Sequence, residues 1–184
     1  MFGQRIFTIA GIGLAALIVA SAAVASSITA TATVSGAGSL ALSNGSTATM
    51  SDTLDGTDQT VSYSVPLTLT DARGTGAGWN LTLTSTTFND GSGHTLSTSA
   101  STVASATVTC VAGGTCTTPT NAITYPVTVP AAVSAPAAVK VFNSAANTGM
   151  GRITITPSIN VAIPGNSYAG SYTSTLTVAA VSGP

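Results

Sequence analysis

Apolar and polar residues alternate with a period of two along much of the chain. Successive side chains of a strand point to opposite faces, so this alternation predicts strands with one buried face. Helical periodicity is weak after the first 25 residues, and the alanine-rich residues 130–136 are the stretch best suited to a helical turn or a linker. Strands are predicted at residues 28–34, 61–69, 79–83, 103–110, 123–129, 139–142, 153–163 and 172–178.

Turn residues separate these predicted strands. The clearest turn is the Asn-Asp-Gly-Ser-Gly run at residues 89–93. Pro157 lies inside the longest predicted strand, which indicates a sheet edge or a bulge there. Many short strands with Gly, Ser, Asn and Pro between them predict a single all-β domain, built as a β-sandwich or barrel-like fold.

The first 25 residues form a segment of different character. A short start with one positive side chain, Arg5, precedes an apolar run, and Ala-Val-Ala at residues 23–25 gives a small-x-small pattern. This order is typical of a secretory signal peptide and predicts cleavage after Ala25, with residues 26–184 as the mature domain. The alternative is an uncleaved anchor, in which case the leader is the protein's membrane contact.

Charged side chains are scarce. They make up 5% of the chain and give a net charge of −1, against about 25% charged residues in typical soluble domains. Four basic residues are too few for nucleic-acid binding or for a polybasic membrane patch. A surface rich in Ser and Thr has little charge repulsion to oppose association. The composition therefore favours a wall-embedded or self-assembling protein over a free extracellular domain.

The two cysteines, Cys110 and Cys116, flank a Gly-Gly turn signal. Export permits oxidation, so a local disulfide closing a hairpin end is predicted. Two thiols and the single histidine, His94, are too few for a closed tetrahedral metal site. No metal and no cofactor are predicted.

Three aspartates, Asp52, Asp55 and Asp58, recur at steps of three in a polar stretch. Calcium favours such oxygen clusters, but the spacing differs from an EF-hand loop and the chain has no Glu to close one. An ordinary solvated loop is the favoured interpretation.

Enzyme chemistry finds little support. His94 has no Gly-x-Ser-x-Gly elbow to accompany it, and no pair of carboxylates is placed for glycoside hydrolysis. The chain is therefore predicted to be a non-enzyme, with a hydrolase as the residual alternative.

The densest cluster of unusual residues lies at residues 71–83. Asp71 and Arg73 can form a bidentate pair that fixes a turn, or Arg73 can bind a ligand carboxylate; the structural pair is favoured. Gly74, Gly76 and Gly78 follow, and they permit positive φ or close backbone approach.

Trp79, the only tryptophan, then opens an alternating strand with Leu81 and Leu83 on the same face. Its indole can stack on a sugar or anchor the core of a sandwich. Burial in the core is the favoured interpretation, because a lone tryptophan on an alternating strand usually packs inward.

The run Asp-Ala-Arg-Gly-Thr-Gly-Ala-Gly-Trp-Asn-Leu at residues 71–81 resembles the first Trp-x-Leu motif of the WxL domain, and residues 168–184 resemble that family's C-terminal segment. The second motif departs from the family pattern, with Val178 in place of tryptophan and Ala180 in place of leucine. The resemblance implies a β-rich, secreted surface protein that attaches non-covalently to peptidoglycan. It implies wall-binding roles for Trp79, Arg73, Asp71 and Leu81.

The expected function is thus that of a secreted, cell-surface structural or adhesive protein whose partner is peptidoglycan or another surface glycan. The alternative is a self-assembling filament or sheath subunit. In that case residues 26–35, which alternate at the mature N-terminus, add as a strand to a neighbour's sheet edge.

Overall fold

A computed structural model describes residues 31–36, 38–44 and 48–184. Val34–Pro184 forms one compact unit, which contains all of the strands of the described residues. Its described part consists of strands and irregular segments without a helix. The strands are β1 (Leu40–Asn44), β2 (Gln59–Ser64), β3 (Leu67–Asp71), β4 (Trp79–Thr86), β5 (Ser101–Cys110), β6 (Val127–Thr128), β7 (Ala131–Ala132), β8 (Val139–Ser144), β9 (Gly151–Ile163) and β10 (Leu176–Ser182).

The larger sheet is organised around the long strand β9. Its order is β1-β3-β9-β5-β6, and all of its pairings are antiparallel. β2 and β3 pair with successive halves of β9, so they follow one another along the same edge of it. They are separated at Val65 and Pro66, where the Val65 amide still donates to the Pro157 carbonyl at 3.0 Å.

The smaller sheet is organised around β4. β10 pairs antiparallel along one edge of β4. The antiparallel strand β8 and the short parallel strand β7 pair along its other edge. The register of β8 shifts by one residue next to Leu81, which is a β-bulge. Because of this bulge two consecutive side chains, Val141 and Phe142, are both buried.

Apolar residues from both sheets form one core between them. Alternation places Ile153, Ile155 and Ile159 of β9 on the same buried face. The remaining members of this core are Leu67, Leu69, Trp79, Leu81, Leu83, Val103, Val129, Val141 and Phe142. Two sheets that bury their facing sides in this way make a β-sandwich, which confirms the predicted all-β class.

Two of the predicted strands are present in altered form. The strand predicted at residues 61–69 is divided into β2 and β3, because Pro66 has no amide hydrogen for the ladder. β9 is an interior strand, so Pro157 does not mark an edge. The register of β5 against β9 shifts between Val103 and Ser105, close to the partner of Pro157, so the irregularity takes the form of a bulge.

Other predicted elements are formed only in part or are absent from the described residues. Residues 31–34 are exposed and form no strand, while residues 28–30 lie outside the described part. Residues 130–136 contain the parallel strand β7 in place of a helical turn. Of the strand predicted at residues 123–129, Val127–Thr128 is formed as β6.

The predicted signal peptide, residues 1–25, lies outside the described residues. Among the described residues, none belongs to a helix with the length and hydropathy needed to cross a membrane.

Candidate functional site

The glycine-rich loop between β3 and β4 carries the chain from the larger sheet to the smaller one. It starts from Asp71, the last residue of β3, and ends at Trp79, the first residue of β4. Both sheets therefore meet the loop at one end of the sandwich, which we term the motif end.

Asp71 and Arg73 form a bidentate ion pair in this loop. Arg73 Nε lies 2.9 Å from Asp71 Oδ1, and Nη2 lies 2.9 Å from Oδ2. The Asp71 side chain is 1% exposed and that of Arg73 is 16% exposed, so the pair is largely shielded from water. The hydrogen bonds from Arg73 hold the pKa of the Asp71 carboxyl below its usual value, against the opposing effect of burial.

Arg73 also joins the loop to the last strand. Its Nη2 donates to the carbonyl oxygen of Gly78 at 2.8 Å, and its Nη1 donates to the hydroxyl of Ser182 in β10. The guanidinium group is planar with several donors in fixed directions, so one side chain can hold three partners at once. The ion pair between Asp71 and Arg73, which was the favoured interpretation of the sequence, is present. Through Arg73 it contacts both the glycine loop and β10.

The loop requires a glycine at its last position. Gly78 has a φ of 70°, in the left-handed region that favours glycine. A Cβ atom at this residue would overlap the carbonyl oxygen of Ser144 on β8. Gly78 therefore allows the loop to lie directly against β8 immediately before the tryptophan.

The side chain of Trp79 lies in the core, with no exposed surface. Its Nε1 donates to the carbonyl oxygen of Gly149 at 2.9 Å, which satisfies the buried indole N–H. The ring is stacked on Phe142, with centroids 5.6 Å apart and an interplanar angle of 18°. Leu81 is equally buried, so the two motif residues point into the space between the sheets.

The closing segment lies beside this motif. β10 pairs with β4 so that Ser182 is opposite Trp79, Ala180 is opposite Leu81 and Val178 is opposite Leu83. The two positions at which the second motif departs from the family pattern are thus in direct register with the first motif strand. Val178 and Ala180 are half-buried and pack against the core.

A family comparison covers these elements as far as residue 181. Residues 29–181 match the family described as WxL domain, surface cell wall-binding. The chain belongs to the WxL family. Neither the curated proteins nor the solved structures gave a match. The WxL family is one of cell wall-binding surface domains, which places this chain at the cell surface and gives it a wall-binding rather than an enzymatic family context.

The structure also shows the surroundings of the two cysteines and of the three aspartates at residues 52–58. Cys110 and Cys116 form the predicted disulfide, with Cα atoms 5.7 Å apart. Asp55 Oδ1 accepts hydrogen bonds from the amide and hydroxyl of Thr57, and these lower the pKa of the Asp55 carboxyl to about 2. The carboxylate of Asp58 accepts a hydrogen bond from the Gly165 amide, and that of Asp52 accepts one from the amide of the following residue.

In these contacts each of the three aspartates accepts from a different partner. Within residues 31–36, 38–44 and 48–184, no group of three or more His, Cys, Asp and Glu side chains is placed to hold a metal ion.

A cleft at the opposite end of the sandwich was not predicted from the sequence. This aromatic cleft has a volume of about 660 Å³, and its lining includes Met50, Phe88, Leu96, Tyr168 and Tyr172. Residues 88 and 168 are far apart along the chain and lie outside the strands, so the alternation of apolar and polar residues could not show that they meet. The available signals were the turn at residues 89–93 and the tyrosines of the closing segment.

Proposed function

We propose that this WxL protein is secreted and binds non-covalently to peptidoglycan or another surface glycan, where it acts as a structural or adhesive layer. The family match over residues 29–181 carries the proposal. The scarcity of charge, with a net charge of −1, supports a protein that lies within a wall rather than one that diffuses freely.

We further propose that Asp71, Arg73, Trp79 and Leu81 serve wall binding by holding the sandwich together at the motif end. Trp79 and Leu81 have no exposed surface, so stacking of the indole on a sugar would require it to leave the core. The ion pair and the indole hydrogen bond instead fix the glycine loop, β10 and the segment that follows β8 relative to one another. Direct contact with the polymer is then left to residues on the surface.

Sedimentation with purified peptidoglycan sacculi tests this function. The full chain, expressed with its leader in a secreting host and recovered after export, is centrifuged with and without sacculi. Pelleting that occurs only in the sample that contains sacculi supports wall binding. A protein that stays in solution in both samples contradicts the proposal.

Self-assembly is the second candidate function, and two observations favour it. β10 is paired with β4 along one edge, and its other edge has no strand partner among the described residues. Residues 31–35 are exposed and are not part of either sheet, so their backbone is available to pair with such an edge. Pelleting without sacculi supports this candidate, provided that deletion of residues 26–35 returns the protein to solution.

A further inference from the structure

Aromatic side chains are concentrated around the cleft. Seven aromatic residues belong to the described part, and four of them, Tyr63, Phe88, Tyr168 and Tyr172, line the aromatic cleft or the cleft of about 570 Å³ that adjoins it. The cleft opens between β2 and the segment that leads into β10. It therefore lies at the end of the sandwich opposite to the motif.

Tyr168 forms an exposed platform at the mouth of the cleft. The residue is 64% exposed, and its ring is stacked on the imidazole of His94 with centroids 3.8 Å apart and an interplanar angle of 17°. The imidazole covers one face of the phenol ring, so the exposed ring surface of Tyr168 belongs mainly to the opposite face. Tyr172 steadies the same segment, because its hydroxyl donates to the Tyr168 carbonyl oxygen at 3.0 Å.

Asp90 fixes the position of the imidazole behind this platform. Its Oδ2 lies 2.6 Å from His94 Nδ1, and its Oδ1 accepts the amides of Ser92 and His94 at 2.8 and 3.0 Å. The hydrogen bond from His94 holds the pKa of the Asp90 carboxyl below its usual value. The ionised carboxylate can only accept, so Nδ1 carries the proton. Asp90, His94 and Tyr168 thus form a preorganised stack.

The cations of the described part lie away from this stack. Arg73 is in the motif loop, and Lys140 Nζ donates to the carbonyl oxygen of Pro184 at 2.9 Å. Arg152 lies at the start of β9, opposite Thr70 of β3 and next to the motif end. A polyanion such as a nucleic acid or a phosphate-linked wall polymer therefore finds no basic partner at the cleft among the residues that the structure describes.

The lining of the cleft has two kinds of surface. Apolar side chains of Val61, Leu96 and Val161 form one part, while Ser51, Asp52 and Ser171 contribute polar groups. A pyranose has the same division, with apolar C–H faces and hydroxyl groups around its edge. An aromatic ring offers an apolar face to the former, and hydroxyl and carboxylate groups can hydrogen-bond the latter.

We propose that the aromatic cleft binds a neutral polysaccharide, with the open face of Tyr168 stacked on one sugar ring. The inference rests on the proposed wall binding and deepens it, since it names the ligand class and places the contact surface away from the Trp79 motif. Asp90 and His94 are positioning residues that hold the platform in place for the sugar.

The test compares four proteins: the wild type, Tyr168→Ala, Tyr168→Phe and the control Val133→Ala. Val133 is 96% exposed and does not line the cleft. Each full chain, recovered after export, is assayed for binding to sacculi stripped of anionic polymers. Each is also titrated calorimetrically with a neutral β-1,4-linked N-acetylglucosamine tetramer. Far-UV circular dichroism verifies that the variants are folded.

Tyr168→Ala removes the phenol ring and with it the stacking surface. It is therefore expected to weaken binding to the stripped sacculi and to the tetramer by about tenfold. Tyr168→Phe and Val133→Ala should bind within about twofold of the wild type, since the first retains the ring and the second lies outside the cleft. Equal binding by Tyr168→Ala and the wild type overturns the proposal. Wild-type binding that disappears on stripping overturns it too, because the ligand is then an anionic polymer.

The two assays separate this inference from the proposed function. Binding of the wild type to sacculi without any effect of Tyr168→Ala retains wall binding and rejects the cleft. Binding of the tetramer in a Tyr168-dependent manner, without sedimentation on sacculi, retains the cleft as a neutral glycan site and rejects wall attachment.

Discussion

At the scale of single residues, the motif combines an apolar anchor with a shielded ion pair. Trp79 fills the core and donates its N–H to Gly149, so its large apolar surface is buried without leaving a polar atom unsatisfied. Asp71 and Arg73 pair beside it and reach across to Ser182. These residues contribute mainly to the stability of the fold, so the effect of substituting them should be measured as a change in the free energy of unfolding.

Removal of the indole should strongly destabilise the fold. Trp79→Ala is expected to reduce the free energy of unfolding by about 3–5 kcal/mol, because it opens a cavity in the core and removes the stacking on Phe142. Trp79→Phe retains a ring but leaves the Gly149 carbonyl without its donor, so a loss of about 1–3 kcal/mol is expected. Urea denaturation followed by circular dichroism measures both. A loss below about 1 kcal/mol for Trp79→Ala would contradict the core role.

The Asp71–Arg73 pair should make stability depend on acid pH. The pKa of Asp71 in the folded protein lies below its usual value, which for an unfolded chain is about 3.9. Folding therefore favours the ionised form. Its contribution is complete above about pH 4 and is lost as the pH falls through the lower, folded-state pKa.

The measurement compares thermal midpoints of the wild type and Asp71→Asn between about pH 6 and about pH 2. The variant should be less stable near pH 6, and the difference should shrink as the pH falls below about 4. The carboxyl of Asp55, whose pKa is lowered to about 2, responds in the same direction. It is present in both proteins and cancels in the comparison. A difference independent of pH would argue against the pair.

At the scale of elements, β4 is the strand on which the site depends. It receives the glycine loop at its first residue, pairs with β10 along one edge and with β8 along the other. The close approach of loop and β8 at Gly78 sets where β4 begins. Backbone geometry at this one residue thus decides how two elements pack.

Alanine substitution of two glycines separates close packing from backbone strain. Gly78→Ala adds a Cβ that overlaps Ser144 and also forces an L side chain into a φ of 70°. Gly91 has a similar φ of 77° but open space around it, so Gly91→Ala reports strain alone. Gly91→Ala should cost about 1–2 kcal/mol of unfolding free energy, and Gly78→Ala should cost more. Equal losses in urea denaturation would show that the contact with Ser144 is unimportant.

Element prediction succeeded where alternation involved large side chains. The isoleucines of β9 and the Trp-x-Leu-x-Leu run of β4 have large buried areas on one face, so period two alone located these strands. The predicted strand at residues 28–34 relied on small alanines at two of four apolar positions, which gain little from burial. β1 and β7 are short, and they form strands because they pair with partners that are distant in the sequence.

At the scale of the whole molecule, the two ends of the sandwich differ in chemistry. The motif end carries the cations Arg73, Lys140 and Arg152 together with the carboxylate of Asp71, while the cleft end carries Asp90 and Asp52. The resemblance of residues 71–81 to a known motif predicted the first end. The second could not be predicted, because Tyr168 and His94 are brought together by the fold alone.

The pairing of strands far apart in sequence has a consequence for the timing of folding. The side-chain amide of Asn80 donates a hydrogen bond to the carbonyl oxygen of Gly183, 103 residues away. The hydroxyl of Ser62 donates one to the side-chain oxygen of Asn160, 98 residues away. Chains dominated by such non-local pairings fold on the order of milliseconds to seconds, far more slowly than helical bundles. β4 pairs with β10 along one edge, so the smaller sheet can be completed only after residues 176–182 have been synthesised. The sandwich is therefore completed after these residues are made and not stepwise as the earlier strands emerge.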